Sequence, residues 1–171
     1  MTSSRTREVT ARNMTSVDDS VDAITDALLT ASRLLVAISA RSIAAVDESI
    51  TIPQFRTLVI LSSRGSVNLA VLAGLLDVQP STAGRMVDRL VTLGLIDRQP
   101  HPNSRRELVV KLTPRGDKLV RAVTARRRKE IARVVQNMPT RERQGLVRAL
   151  TTFTTSGGEP AAHIEIDDQT Y

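Results

Sequence analysis

The chain has 171 residues, 41% hydrophobic and 25% charged, with a net charge of +6 and only 2% aromatic residues, Phe55, Phe153 and Tyr171. That length allows one domain with a real core or two small interleaved ones, and a pI near 10.9 favours a polyanionic partner. The absence of Cys excludes disulfides, thiol sensing and Cys-bound metals; with only His101 and His163 no metal or other cofactor is expected, and aromatics are too few for base-stacking platforms.

Residues 1–16 are polar and without periodicity, lack the apolar core of a signal peptide, and read as a flexible N-terminal arm. Ser16 is placed to cap a helix whose apolar positions Val21, Ile24, Leu28, Leu35, Ile38 and Ala45 recur at helical spacing, which predicts a helix over 17–45 with an acidic early face. No apolar run approaches the roughly 20 residues of a membrane span, so the expected location is the cytoplasm and no membrane partner is expected. "TIPQF" starts the next helix, with Thr51 as cap, Gln54 completing a capping box and Pro53 in the first turn; Phe55, Leu58 and Leu61 or Ser62 carry its apolar face until Gly65. One or two extended residues then lead to Asn68, the cap of a helix buried through Leu69, Leu72, Leu75 and Leu76. Asp77-Val78-Gln79 forms a short turn, and Pro80 opens a helix that buries Ala83, Met86, Val87, Leu90 and Leu93 and ends at Gly94.

Beyond Gly94 the apolar period falls from 3.6 to about 2. "LIDRQ" and "ELVVKL" read as short strands separated by the proline-stiffened loop "PHPNSRR", a hairpin. Thr113-Pro114 caps a long helix carrying Leu119, Val120, Val123, Ile131, Val134 and Met138, and Thr140 caps a last one with Leu146, Leu150 and Phe153. "SGGEP" ends it, and 156–171 reads as a flexible acidic tail.

Helix, three-residue turn, helix and hairpin make the winged helix-turn-helix plan. The fold expected is mainly α with a small β-hairpin wing, joined to a helical dimerisation platform. In such a plan the second helix of the pair enters the DNA major groove, so its open face should bear polar groups. Gln79, Ser81, Thr82, Gly84, Arg85, Asp88 and Arg89 lie between the buried positions. Small hydroxyls and a helix N-terminus suit phosphates, and Arg85 is the residue best placed to fork onto a guanine. Gly84 costs roughly 1 kcal/mol against Ala in mid-helix, which a close approach of backbone to DNA would explain, as would drift. In the hairpin, Arg98 stands near the base and Asn103, Arg105 and Arg106 stand at the tip, where a wing reaches a minor groove or the DNA backbone. The same charges also occur on ordinary solvated faces.

Through this region "LAGLLDV", "RMVDRL", "GLIDR", "RR" and "VVKLTPRG" follow one another in an order and spacing that resemble the MarR (multiple-antibiotic-resistance regulator) family. The resemblance extends over about residues 17–155. Two positions depart from the family pattern. Ser104 replaces the usual wing Asp, removing a carboxylate that would brace the tip, and Gln79 replaces a frequent Ser at the reader-helix cap. The resemblance implies a homodimeric, sequence-specific, double-stranded-DNA-binding transcriptional repressor acting on a pseudo-palindromic operator. It also implies release by a small lipophilic or phenolic ligand, whose pocket here would be aliphatic and lined by the first helix, "IPQFRTL" and the Pro114 helix. The implied organisation is an arm over 1–16, a dimerisation region over 17–48 and 113–155, a winged helix-turn-helix domain over 49–112, and a tail over 156–171. A winged-helix module that binds protein rather than DNA is the alternative. An enzyme is not expected, since no nucleophile with a base, no paired carboxylates in a cleft and no Gly-rich phosphate loop occur.

Charge is unevenly spread. Residues 17–50 hold six acids against two bases, whereas 113–150 hold eleven bases against three acids. The resemblance assigns both stretches to the platform, where the opposite faces either meet, within or between subunits, or stay solvated.

Overall fold

The computed structural model describes residues 20–101 and 104–159; of His101 and residues 104–107 it describes only the backbone. Among the described residues the elements are α1 (Val21–Ala44), α2 (Ile52–Arg64), β1 (Val67–Asn68), α3 (Leu69–Leu76), α4 (Pro80–Thr92), β2 (Ile96–His101), β3 (Ser104–Leu112), α5 (Pro114–Gln136), α6 (Thr140–Arg143) and α7 (Leu146–Ser156). They divide into two units, residues 1–37 and residues 38–171.

The caps set most boundaries. Thr51 Oγ1 accepts from the Gln54 amide at 3.4 Å while Gln54 Oε1 accepts from the Thr51 amide at 2.9 Å, so the capping box at α2 forms as its sequence predicts. Asn68 Oδ1 accepts from the Val71 amide at 2.8 Å and starts α3. Asp77 leaves α3 in the left-handed region at φ 53°, which a short polar side chain tolerates, and Pro80 opens α4. Gly94, at φ 68°, turns the chain from α4 into β2.

Four features differ from expectation. The described α1 begins at Val21 with Ser20 Oγ accepting from the Ala23 amide, later than the predicted start at 17; the expected cap Ser16 lies outside the described residues. The hairpin is part of a three-stranded antiparallel sheet in the order β1-β3-β2, because Val67 and Asn68 pair with Val110 and Val109. A strand of two residues carries no period-2 signal. The strands also run further into the predicted loop. Pro100 still faces Leu108, but the next pair is His101 with Ser104, so residues 105–107 fall in a register irregularity beside a proline that has no amide to donate. The last helix is broken into α6 and α7, because Gln144 is extended and Gly145 sits at φ 78°; Thr140 becomes the first helical residue after Pro139 instead of the cap.

The second unit has a continuous core. Leu58, Leu72, Val87, Leu90, Leu95 and Val123 are fully shielded, with Phe55, Leu61, Ile96, Val110 and Val120 around them. Leu69, Leu75, Leu76, Met86 and Leu93, expected inside, are half-buried, and Thr57, Ala73 and Leu95 complete the interior instead. Three hydrogen bonds lock the end of α4 to the start of α5. Thr113 donates its amide to Leu95 O at 3.1 Å and its hydroxyl to Gly94 O at 2.8 Å, and Arg115 Nη1 donates to Leu93 O at 2.8 Å. A Cβ at Gly116 would lie 2.1 Å from Leu95 O, so only glycine fits there.

The flanking helices are covered differently. Of the apolar α1 positions expected to form a buried stripe, Ile38 is buried, whereas Val21 is 79% and Ile24 48% exposed. On α7, Val147 is 79% and Phe153 55% exposed. By length and composition α1 could cross a membrane, against the expectation that no segment approaches a span. Its Leu, Ile, Val and Ala residues raise its mean hydropathy, while Asp22, Asp26, Arg33 and Arg41 interrupt the apolar run.

Candidate nucleic-acid interface

Helix α4 is amphipathic by construction. Ala83, Val87 and Leu90 point inward and are fully shielded, so the opposite face, one and two turns apart, consists of Ser81, Arg85, Asp88, Arg89 and Thr92, all exposed. Arg85 and Arg89 make no ion pair among the described residues. Gln79 is exposed at the N-cap and makes no side-chain cap bond; Pro80 has no amide to donate and the Thr82 and Ala83 amides donate to Gln79 O, so the Ser81 amide is the one left without a side-chain acceptor there. Thr82 is half-buried at the edge of the polar face. Gly84 is half-buried too, and a Cβ there would make ordinary contact with Leu69 Cδ2 of α3 at 3.8 Å. Its missing side chain therefore points toward α3.

Asp88 divides the cationic face. Arg98, at the base of β2, reaches across and forms an ion pair with it, with the two side chains 38% and 61% exposed. The pair ties wing to helix at one point, and it makes Arg98 a brace as well as a surface cation. The residues are ten apart in sequence and on elements of different period, so no local pattern signalled it. Asn103 lies outside the described residues. Arg105 and Arg106 have backbone positions in the first part of β3, beside the tip and not in the connecting loop.

A cleft of about 610 Å³ opens between the end of α2, the strands and the start of α5, lined by Leu61, Ser62, Asp97, Lys111, Pro114 and Asp117 among others. It is mixed polar in character, unlike the aliphatic pocket expected near "IPQFRTL".

The MarR family model matches residues 50–108. The multiple antibiotic resistance protein MarR of Salmonella typhimurium is 40% identical over 67 residues, which are 39% of this chain and 46% of that protein, so the match spans about half of that relative's length. The HTH-type transcriptional regulator YhbI of Bacillus subtilis is 30% identical over 105 residues, 61% of this chain and 68% of YhbI. The crystal structure of RV1404 from Mycobacterium tuberculosis is similar with a TM-score of 0.78 and 71% identity, covering 85% of this chain and 99% of that one. The chain belongs to the MarR family, whose members are winged-helix transcription regulators and not enzymes.

Proposed function

We propose that this protein is a sequence-specific double-stranded-DNA-binding regulator of transcription, a homodimeric repressor released by a small lipophilic or phenolic ligand. The observation that carries the DNA reading is the open face of α4, where Arg85 and Arg89 stand exposed without ion-pair partners among the described residues, next to the wing. Helix α4 enters the major groove, Arg85 reads a base edge, and the Thr82 side chain with the hydroxyl and amide of Ser81 hold phosphates. Gly84 borders this face with its bare side turned toward α3, and the wing residues Arg98, Asn103, Arg105 and Arg106 reach a flanking minor groove or backbone. Residues 49–112 form the DNA-binding domain. Residues 17–48 and 113–155 form the dimerisation region, with 1–16 and 156–171 as arm and acidic tail. The exposed apolar residues of α1 and α7 support the dimer reading, since such surface is ordinarily covered by a partner. Two α4 helices roughly 34 Å apart then match successive major grooves and a pseudo-palindrome. Release by a ligand rests on the family likeness. The location that goes with this function is the cytoplasm.

A mobility-shift titration on the DNA upstream of the protein's own gene tests the reading. The Arg85→Ala plus Arg106→Ala variant is expected to bind about 100-fold more weakly, from roughly 1–3 kcal/mol for a base-reading Arg and less for a phosphate contact. Equal binding by the variant and the wild type rejects it.

A further inference from the structure

We propose that the basic run of α5 is the docking surface for the acidic first turns of α1 in a second copy, so that Arg127 and its neighbours Arg126, Arg128 and Lys129 receive the partner subunit's Asp22 and Asp26. The inference rests on the homodimer reading and adds to it which charges meet and that they meet between chains.

Arg127 supplies the starting point. Its guanidinium is half-buried, and its Nε is shielded from solvent with no acceptor among the described residues. Burial pulls its pKa below the ordinary arginine value, and no carboxylate counters that pull. A partly desolvated cation is costly unless an anion meets it. Its own helix cannot provide one. Glu130, the acid within reach of the run, is already taken at 3.2 Å by Arg41 and at 4.0 Å by Arg126. Arg127, Arg128, Lys129 and Arg133 form no ion pair among the described residues.

Helix α1 carries the complementary excess. Asp22 and Asp26 are exposed, one turn apart on the same face, and unpaired among the described residues. Like charges at that spacing repel and weaken an isolated helix, so a cation brought by another surface relieves both aspartates at once. The apolar neighbours make the same demand. Val21, Ile24 and Leu29 beside the acids are 79%, 48% and 54% exposed, and Val134 beyond the basic run is 39% exposed. A surface with apolar residues flanked by one sign of charge selects a partner of the opposite sign and fixes its register. One chain carries both halves of that match, so a second copy satisfies it twice about a two-fold axis.

Charge exchange separates the outcomes. Sedimentation is measured for the wild type, for Asp22→Arg plus Asp26→Arg, for Arg127→Glu plus Arg128→Glu, for an equimolar mixture of these two variants, and for the chain with all four changes. A chain with Arg127→Gln and Arg128→Gln controls for folding, followed by circular dichroism. The expected result is a dimeric wild type, dimerisation weakened at least tenfold in each charge-reversed variant, and recovery both in the mixture and in the four-change chain. Recovery in the four-change chain without recovery in the mixture places the pairing inside one chain and overturns the proposal. Unchanged dimerisation with lost binding to duplex DNA in the Arg127→Glu plus Arg128→Glu variant assigns the basic run to nucleic acid and also overturns it. Unchanged behaviour of every variant means solvated faces, with the dimer reading intact. A monomeric wild type removes the homodimer reading itself and this inference with it.

Discussion

The winged region and the flanking helices treat their apolar residues in opposite ways. Leu58, Leu72, Leu90 and Leu95 have no exposed surface within one chain, while Val21 and Val147 are each 79% exposed. Both regions have helical apolar stripes in sequence, so periodicity alone does not distinguish them. The difference is in who supplies the other wall of the core. In the winged region the wall is the same chain, through α2, α3, α4, the sheet and the start of α5. For α1 and α7 it is, on the proposed reading, a second copy. Substitutions in the first region should therefore act on folding, and substitutions in the second on association.

Gly116→Ala should break the winged region most severely. The new Cβ would overlap Leu95 O, a backbone atom that cannot rotate away, so α5 or the α4–β2 turn must move. We expect a loss of about 3 kcal/mol or more, at the upper end of overpacking effects, read as a large fall in Tm. A variant that melts like the wild type would mean that this contact does not hold the fold.

Leu90→Ala against Val147→Ala sharpens the comparison directly. Leu90 leaves a cavity in a closed core and should cost about 2–5 kcal/mol by chemical denaturation. Val147 is open in the single chain, so its truncation should leave the unfolding of the winged region unchanged and weaken dimerisation. Equal effects of the two on unfolding would erase the distinction.

Gly84→Ala asks whether α4 is shaped by packing or by DNA. The added methyl meets Leu69 Cδ2 at an ordinary 3.8 Å, so helix propensity should prevail and stabilise the protein by up to about 1 kcal/mol. If glycine is present for close approach to DNA, the stabilised variant should bind DNA more weakly. A stabilised variant with unchanged affinity assigns Gly84 no part in binding.

The smallest effect lies at Asp47, between the regions in sequence. Hydrogen bonds from the Ser49 hydroxyl and amide, with the charge of Arg115, hold its carboxyl below the ordinary value of 3.8. A lowered folded-state pKa stabilises at neutral pH, and that contribution is lost as pH falls below 3.8 through the folded value. Asp47→Asn should thus be slightly less stable than the wild type at pH 7, with the gap closing in acid.

How much of this was legible in the sequence follows the range of each interaction. Thr51, Asn68, Pro80, Gly94 and Thr113 announced the element ends because a cap is formed by residues three or four apart. Strand β1 was not legible, since two residues become a strand only by pairing with Val109 and Val110. The break before α7 had its signal in Gly145, but Thr140 read as the cap of one continuous helix although Leu146, Leu150 and Phe153 all follow the glycine. The Asp88–Arg98 pair and the need for glycine at 116 depend on elements meeting in space. Of the candidate interface, the polar face of α4 was readable from its spacing, whereas the half-burial of Thr82 and the direction of the bare side of Gly84 required the packing against α3.

The central claim is that the cations of α4 and the wing bind the DNA backbone and read its sequence. It is tested most directly by fluorescence anisotropy on an upstream duplex and a scrambled duplex across a salt series. The account predicts that log affinity falls linearly with log salt, losing on the order of 1,000-fold or more between 50 and 200 mM, as roughly six or more phosphate contacts require. It also predicts that the upstream duplex is preferred throughout. A shallow slope, or equal affinity for the two duplexes at every salt concentration, would contradict it.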